Sequence, residues 1–255
     1  MSEMTMLVDV TKCVGCYSCR VACQMENDLP PEQSYIQFRE VERGSFPDVS
    51  WHMQRFSCLH CSDAVCEKVC PQDAIGYSPS GAVVVDQDAC VGCRYCEKNC
   101  PFGVAHVERC VNADGDTQLV ANKCTQCDGR VSDGGIPVCV STCYTGAMAF
   151  GERSEMLQEA ERRLQEVKAR YPDAMVYNPE GLGGTHTIFL LPEGPEAYRL
   201  EANPVVPLQA MLWKDYAQPL GKALLGFTTM AVIGGAISNR LFNKADHDEE
   251  EGESQ

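Results

Sequence analysis

The sequence is short of basic charge. Against 36 Asp plus Glu it sets only 21 Lys plus Arg, a formal net charge of −15. Such a surface argues against a nucleic-acid partner, which needs a basic face for its phosphates. The opening residues, MSEMTMLVDV, lack both the basic start and the sustained apolar run of a secretory signal, so none is expected. Long apolar runs are also missing, with one exception near the carboxyl end. Nor is there any sign of cysteine pairing: the 17 cysteines are odd in number and regularly clustered, unlike a disulfide framework. At 255 residues, 44% hydrophobic and with a mean hydropathy of −0.23, the chain can bury a real core.

What is abundant is cysteine in groups of four. Cys90, Cys93, Cys96 and Cys100, followed by Pro101, read CVGCRYCEKNCP, which is the spacing of a bacterial ferredoxin run for a [4Fe-4S] cube. Three thiolates on successive tight turns wrap three corners of one cube. The fourth, held beyond the loop, is aimed away and ligates a second cluster. A partner run is therefore expected, and three are present. Group one is Cys13, Cys16, Cys19 and Cys23; group two is Cys58, Cys61, Cys66 and Cys70, with a middle gap longer by two and Pro71 after it; group four is Cys124, Cys127, Cys139 and Cys143. Only Cys110 is left over, and it is expected to be a small buried residue rather than a ligand.

An internal repeat links the groups. VDVTKCVGC (Val8 to Cys16) and VDQDACVGC (Val85 to Cys93) share a register in which a strand delivers the chain to a cysteine loop. Met6 to Val10, Asp73 to Tyr77 and Gly81 to Gln87 read as short strands. Two more are expected on either side of a turn at Asp114, Gly115 and Asp116. Residues 24 to 57, with Pro30, Pro31 and Pro47 among scattered aromatics, read as loop plus a strand or two.

Groups two and three are adjacent and can exchange fourth ligands, which leaves groups one and four to do the same. Four cubes are predicted: Cys58, Cys61, Cys66 with Cys100; Cys90, Cys93, Cys96 with Cys70; Cys13, Cys16, Cys19 with Cys143; and Cys124, Cys127, Cys139 with Cys23. One ferredoxin module is thus nested in another. Group four taken alone would also suit a tetrahedral zinc site of four thiolates. A cube with four thiolates leaves no open position for substrate, which argues for electron transfer over Lewis-acid chemistry. No catalytic residue is assigned. Lys12, Lys98 and Lys123 lie near the groups; they either raise cluster potentials or are ordinary solvated side chains.

Beyond the last cysteine, Ser154 is read as capping a helix in which Met156, Leu157, Ala160, Leu164 and Val167 share a face that packs on the ferredoxin body. Residues 219 to 238 carry only Lys222 as a charge, and their length matches the hydrocarbon core of a bilayer. Trp213 and Tyr216 stand where interfacial anchors would. A buried core or interface helix is the rival reading. The last ten residues are rich in Asp and Glu and read as a solvated tail. The expected organisation is a nested ferredoxin-like domain over 1–150, a packing helix and connections over 151–212, a single membrane helix over 213–240 and an acidic tail over 241–255.

The four groups in this order resemble the electron-transfer subunits of the molybdopterin oxidoreductase superfamily. VYNPEGLGGTH (Val176 to His186), then Trp213, Lys214, one span and an acidic end, resembles the iron-sulfur subunit of membrane-bound formate dehydrogenases of the N and O type. Tyr144 departs from that pattern, standing where many such subunits place proline. The resemblance implies an α+β chain of two nested 2×[4Fe-4S] modules with a carboxyl-terminal membrane helix. It implies a molybdenum or tungsten bis-pterin catalytic partner, a cytochrome b partner that reduces quinone, and a third cube, with Cys70, nearest the haem. It also implies the cytoplasmic membrane, with the cluster domain on the outer face. A relay of the same build for a membrane-bound nickel-iron hydrogenase is the alternative.

Overall fold

The structure, a computed structural model, describes residues 3–111 and 117–252. The chain divides into two units, Met1–Ala210 and Met211–Gln255.

In the first unit the elements follow the cysteine groups. Strand β1 (Met4–Asp9) leads to group one and helix α1 (Ser18–Glu26), and β2 (Gln37–Ser45) and β3 (Asp48–Phe56) form a hairpin that ends at group two. Helix α2 (Val65–Lys68), the small hairpin of β4 (Ile75–Tyr77) and β5 (Val83–Val85), and α3 (Tyr95–Asn99) come next. The hairpin of β6 (His106–Val111) and β7 (Thr117–Asn122) brings the chain to group four with α4 (Asp128–Ser132) and α5 (Val138–Ser141). The turn expected at Asp114 to Asp116 lies outside the described residues. Strand β8 (Met148–Glu152), helix α6 (Arg153–Val167), β9 (Met175–Tyr177) and β10 (Thr187–Leu191) then complete a sheet.

That sheet has the order β8-β1-β10-β9, with β10 parallel to β1 and the outer pairs antiparallel. All five residues of β10, TIFLL, are buried, as in a strand covered on both faces. Alternation along the strands sorts the side chains into two layers. Leu7, Ile188 and Leu190 pack with Ala160, Leu164 and Val167 of α6. Met6, Val8, Phe189 and Leu191 point the other way, into the core that also contains Cys19, Cys23, Cys58, Cys124 and Cys139. The sheet is therefore a partition between α6 and the cysteine body. Segment 151–212 contributes β9 and β10 as well as the expected helix, and α6 packs on the sheet face away from the cysteines.

Ser154 does not cap α6. Glu152 occupies the cap position without a side-chain bond, because the first helical N–H, that of Arg153, donates instead to the Glu3 carbonyl at 2.9 Å. Asp9 locks the opposite end of β1. Its carboxylate accepts from Thr11 N at 3.0 Å and pairs with Arg163 of α6 at 3.0 Å. In the repeated register Asp86 acts alike, accepting from Asp88 N at 3.0 Å and Ala89 N at 3.2 Å. The shared VD thus marks a carboxylate that shapes the turn into each cysteine loop.

The second unit is α-helical, with a π-helical turn at Trp213–Ala217 leading into helix α8 (Gln218–Gly252), which the end of α7 (Leu208–Leu212) precedes. Within α8, Gln218–Arg240 is one stretch of 23 residues long and apolar enough to cross a membrane, with none of it buried in the structure. Leu224, Phe227, Met230 and Val232 are all exposed. The Thr228 and Thr229 hydroxyls donate back to the Leu225 carbonyl at 2.9 and 2.7 Å, which suits a polar group in an apolar medium.

Candidate metal centres

Each cysteine group is built by the same local device. The residue just before the second cysteine is left-handed in all four: Gly15 at φ 64°, His60 at 50°, Gly92 at 63° and Gln126 at 57°. This turn aims backbone N–H groups at sulfur, as with Gln126 N to Cys124 Sγ at 3.4 Å. The third cysteine then sits on a short helix and the fourth follows four residues later, in every group. Cys19 and Cys23 lie on α1, and Cys96 on α3 is followed by Cys100 at its end. Cys66 on α2 and Cys139 on α5 stand in the same relation to Cys70 and Cys143. One helical turn carries the fourth thiol away from its own loop. Helix α1 packs on α5, and α2 on α3, so each fourth thiol is carried toward a neighbouring group.

The result is a set of cavities walled by cysteines from two groups. Cys13, Cys16, Cys19 and Cys143 line one, together with Val8, Phe38, Arg55 and Met148. Cys58, Cys61, Cys66 and Cys100 line a second, with Leu59, Val65, Phe102 and Lys123. Cys70, Cys90, Cys93 and Cys96 line a third, with Ile75, Val107 and Ala121. Cys23 is brought to Cys124, Cys127 and Cys139, whose charges act on its thiol. Three of the four sets expected from the sequence thus line a cavity each.

The donor set fits a polynuclear guest. A single zinc ion with sulfur ligands at ~2.3 Å needs four sulfurs drawn closely together. Among the described residues no group of three or more His, Cys, Asp or Glu is arranged for one metal ion. Three cavities, each with four thiols and mostly apolar walls into which Arg55 and Lys123 reach in two cases, suit [4Fe-4S] cubes. All 17 cysteines are unpaired by disulfides.

Burial dominates the titration of several of these thiols. It pushes Cys19, Cys96 and Cys127 up to about 11 and Cys66 to about 12, and raises Cys23 and Cys61 further. Cys16 is the exception: it is exposed, and the Ser18 hydroxyl and backbone hold it below the ordinary thiol value. Loading iron must therefore displace protons from most of these sulfurs. His60 is neutral, because burial and then the Lys123 charge hold it well below its usual value. Val83 N donates to its Nδ1 at 3.0 Å, which puts the proton on Nε2.

Two cations stand among the cysteines. Arg55, on β3, is 2% exposed. Its Nη1 donates to Ser57 Oγ at 2.6 Å and its Nη2 to Cys139 Sγ at 3.7 Å. Lys123 is 4% exposed, and its Nζ donates to the carbonyls of Val83 and Cys124. Burial alone pulls the ammonium down, but the sulfurs of Cys58, Cys66, Cys124 and Cys100 around it outweigh burial and hold Lys123 above its ordinary value. The solvated reading of the three lysines therefore fails for Lys123, whereas Lys98 is exposed and Lys12 is half-exposed beside Asp9. Cys110 is not buried either; it is half-exposed on β6. Sequence reasoning missed Arg55, whose only signal is a basic residue between Gln54 and Phe56, three positions before Cys58.

The model of the 4Fe-4S dicluster domain matches residues 49–153. The chain is similar to the iron-sulfur subunit of the nitrate-inducible formate dehydrogenase of Escherichia coli, 36% identical over 98% of this chain and 90% of that one. The formate dehydrogenase iron-sulfur subunit of Haemophilus influenzae is 34% identical over 91% of this chain and 79% of its own. The B subunit of the anaerobic dimethyl sulfoxide reductase of E. coli is 37% identical, over 58% of this chain and 73% of that one.

Proposed function

Because the chain belongs to the family of formate dehydrogenase iron-sulfur subunits, we propose that it relays electrons through four [4Fe-4S] clusters from a catalytic subunit to a membrane subunit. The observation that carries this reading is the sharing of cavities: three are each walled by thiols of two groups, and Cys23 is brought to the thiols of group four. The two nested modules are groups two with three and groups one with four. The ligands are the four sets described above. A cube, when bound, takes up one electron and gives it back.

The residues of this chain do the rest. Val65, Leu59 and Phe102 keep water from the second cavity, and backbone N–H groups such as Ala121 N, 3.3 Å from Cys90 Sγ, and Ala74 N, 3.3 Å from Cys70 Sγ, favour the more negative state. Two thiols are exposed, Cys16 and Cys93. They belong to different sets, which supports those two as the ends of the relay, where electrons enter and leave. The other two sets have no exposed thiol and form its interior.

The catalytic partner in this reading holds a molybdenum or tungsten bis-pterin and oxidises formate; the membrane partner is a cytochrome b that reduces quinone. Residues 218–240 cross the cytoplasmic membrane once, with the cluster unit on its outer face. A relay for a different catalytic subunit is favoured by the dimethyl sulfoxide reductase match, but that match covers 58% of the chain against 98% for the formate dehydrogenase one.

In the purified complex, Cys93→Ala is expected to abolish quinone-linked formate oxidation while leaving dye-linked oxidation largely intact. Equal loss of both activities in an assembled complex sinks the relay. Iron and acid-labile sulfide should come to about sixteen each per chain for four cubes.

A further inference from the structure

Arg55 and Lys123 are buried cations without a carboxylate. Among the described residues neither stands within ion-pair distance of an Asp or Glu. A buried charge persists only when something opposite compensates it, and the groups facing these two that can become negative are the cysteine sulfurs, which give up their protons on holding iron. Arg55 lines the cavity of Cys13, Cys16, Cys19 and Cys143 and also donates to Cys139. Lys123 lines the cavity of Cys58, Cys61, Cys66 and Cys100 and also donates to the Cys124 carbonyl. Each cation therefore stands between two cysteine sets. The set common to both is Cys23, Cys124, Cys127 and Cys139. The remaining set, Cys70, Cys90, Cys93 and Cys96, has neither; the nearby Arg94 is exposed and paired with Glu97 at 3.3 Å.

This arrangement answers an electrostatic difficulty. Four thiolates on a cube make it anionic, and reduction adds one more negative charge. Burial opposes that addition most where solvent is furthest away, and three of the four thiols in the common set, Cys23, Cys124 and Cys139, are buried. Left uncompensated, the site would be a barrier inside the relay.

We propose that Arg55 and Lys123 are potential-setting residues that converge on the site of Cys23, Cys124, Cys127 and Cys139 and ease its reduction from two sides. The inference rests on the four-cluster reading above. Each transfer moves one electron from a reduced site to the next, oxidised one, and no proton or group changes place. The shared cations also order the sites: Arg55 joins the first set to the common one, and Lys123 joins the common one to the second set. Neither side chain ligates iron or meets formate. Both act through the field they impose.

The test is a redox titration followed by electron paramagnetic resonance on the anaerobically purified complex, with iron and sulfide counted on the same samples. Arg55→Gln is expected to lower the midpoints of two signals, and Lys123→Gln of two, with one signal common to both. Each should fall by at least tenfold in the reduction equilibrium, about 59 mV for a one-electron couple. Arg55→Lys, which keeps the charge, should restore the Arg55-dependent midpoints, and Lys98→Gln, at an exposed lysine, should move none. Full iron with unmoved midpoints overturns the proposal, as does the absence of a signal moved by both variants. If Arg55→Gln fails to retain iron, Lys123→Gln with Arg55→Lys decides: two lowered midpoints in the first and none in the second support the proposal, and unmoved midpoints in Lys123→Gln overturn it. Wild-type iron well below about sixteen per chain refutes the four-cluster reading instead, whatever the variants do.

Discussion

At the scale of single residues the cysteine loops depend on left-handed positions. Gly92 and Gly103 share a φ of +63°, yet a Cβ on Gly92 would lie 2.5 Å from the Leu119 carbonyl oxygen, while one on Gly103 meets nothing within 4 Å. Gly103→Ala should cost only the backbone penalty of about 1–2 kcal/mol. Gly92→Ala should cost clearly more and deplete iron from the set containing Cys90, as denaturant melts and iron counts on the two variants will show. The thiols make a second prediction, with a definite sign. Burial raises Cys19, Cys96 and Cys127 to about 11 and Cys66 to about 12 in the iron-free fold, above an ordinary value of 9.0 for the unfolded chain. The neutral thiols thus favour the fold below about pH 9, and that contribution is lost as pH climbs from 9 toward 12. Iron-free protein should lose melting temperature over that window. Loaded protein, whose sulfurs carry no proton, should not.

At the scale of elements, the sheet separates two roles. Leu164 of α6 is buried against Leu7, Ile188 and Leu190, on the face turned from the cysteines. Leu164→Ala is expected to destabilise the fold by about 2–4 kcal/mol with iron content and cluster spectra unchanged; a loss of iron without a loss of stability would contradict the partition. The sheet is also where sequence reading stopped short. Cysteine spacing reveals the loops, because the geometry of a cube is written locally in intervals of three and four residues. Strand β10 has no such local mark. Its run of five apolar residues fits several structures by periodicity, and its partner β1 lies some 180 residues earlier, with Met6 opposite Thr187. Arg55 and Lys123 were opaque for a related reason: a sequence names a charge, but burial is decided by strands that meet from afar.

For the molecule as a whole, the apolar helix carries the prediction. Val232 lies within the stretch Gln218–Arg240 and is exposed. An arginine there should cost about 2.5–3.5 kcal/mol of membrane insertion, so Val232→Arg should move the chain from the membrane fraction toward the soluble one, read by fractionation and immunoblot. Retention of the variant in membranes would mean that partners, rather than this helix, hold it there. The family was legible in the order of the cysteine groups, and the relatives found at 34–36% identity agree with it. The partners are not written in the chain with comparable directness.

The lacing of fourth thiols across groups bears on how the protein matures. A ribosome releases Cys13, Cys16 and Cys19 long before Cys143, and Cys23 long before the three sulfurs that share its site. In the four-cluster reading proposed above, two of the four sites therefore stay open until Cys139 and Cys143 have been synthesised, and they are the last to be completed. The site of Cys58, Cys61, Cys66 and Cys100 and that of Cys70, Cys90, Cys93 and Cys96 have all their sulfurs earlier, so iron is expected to enter the nascent chain there first.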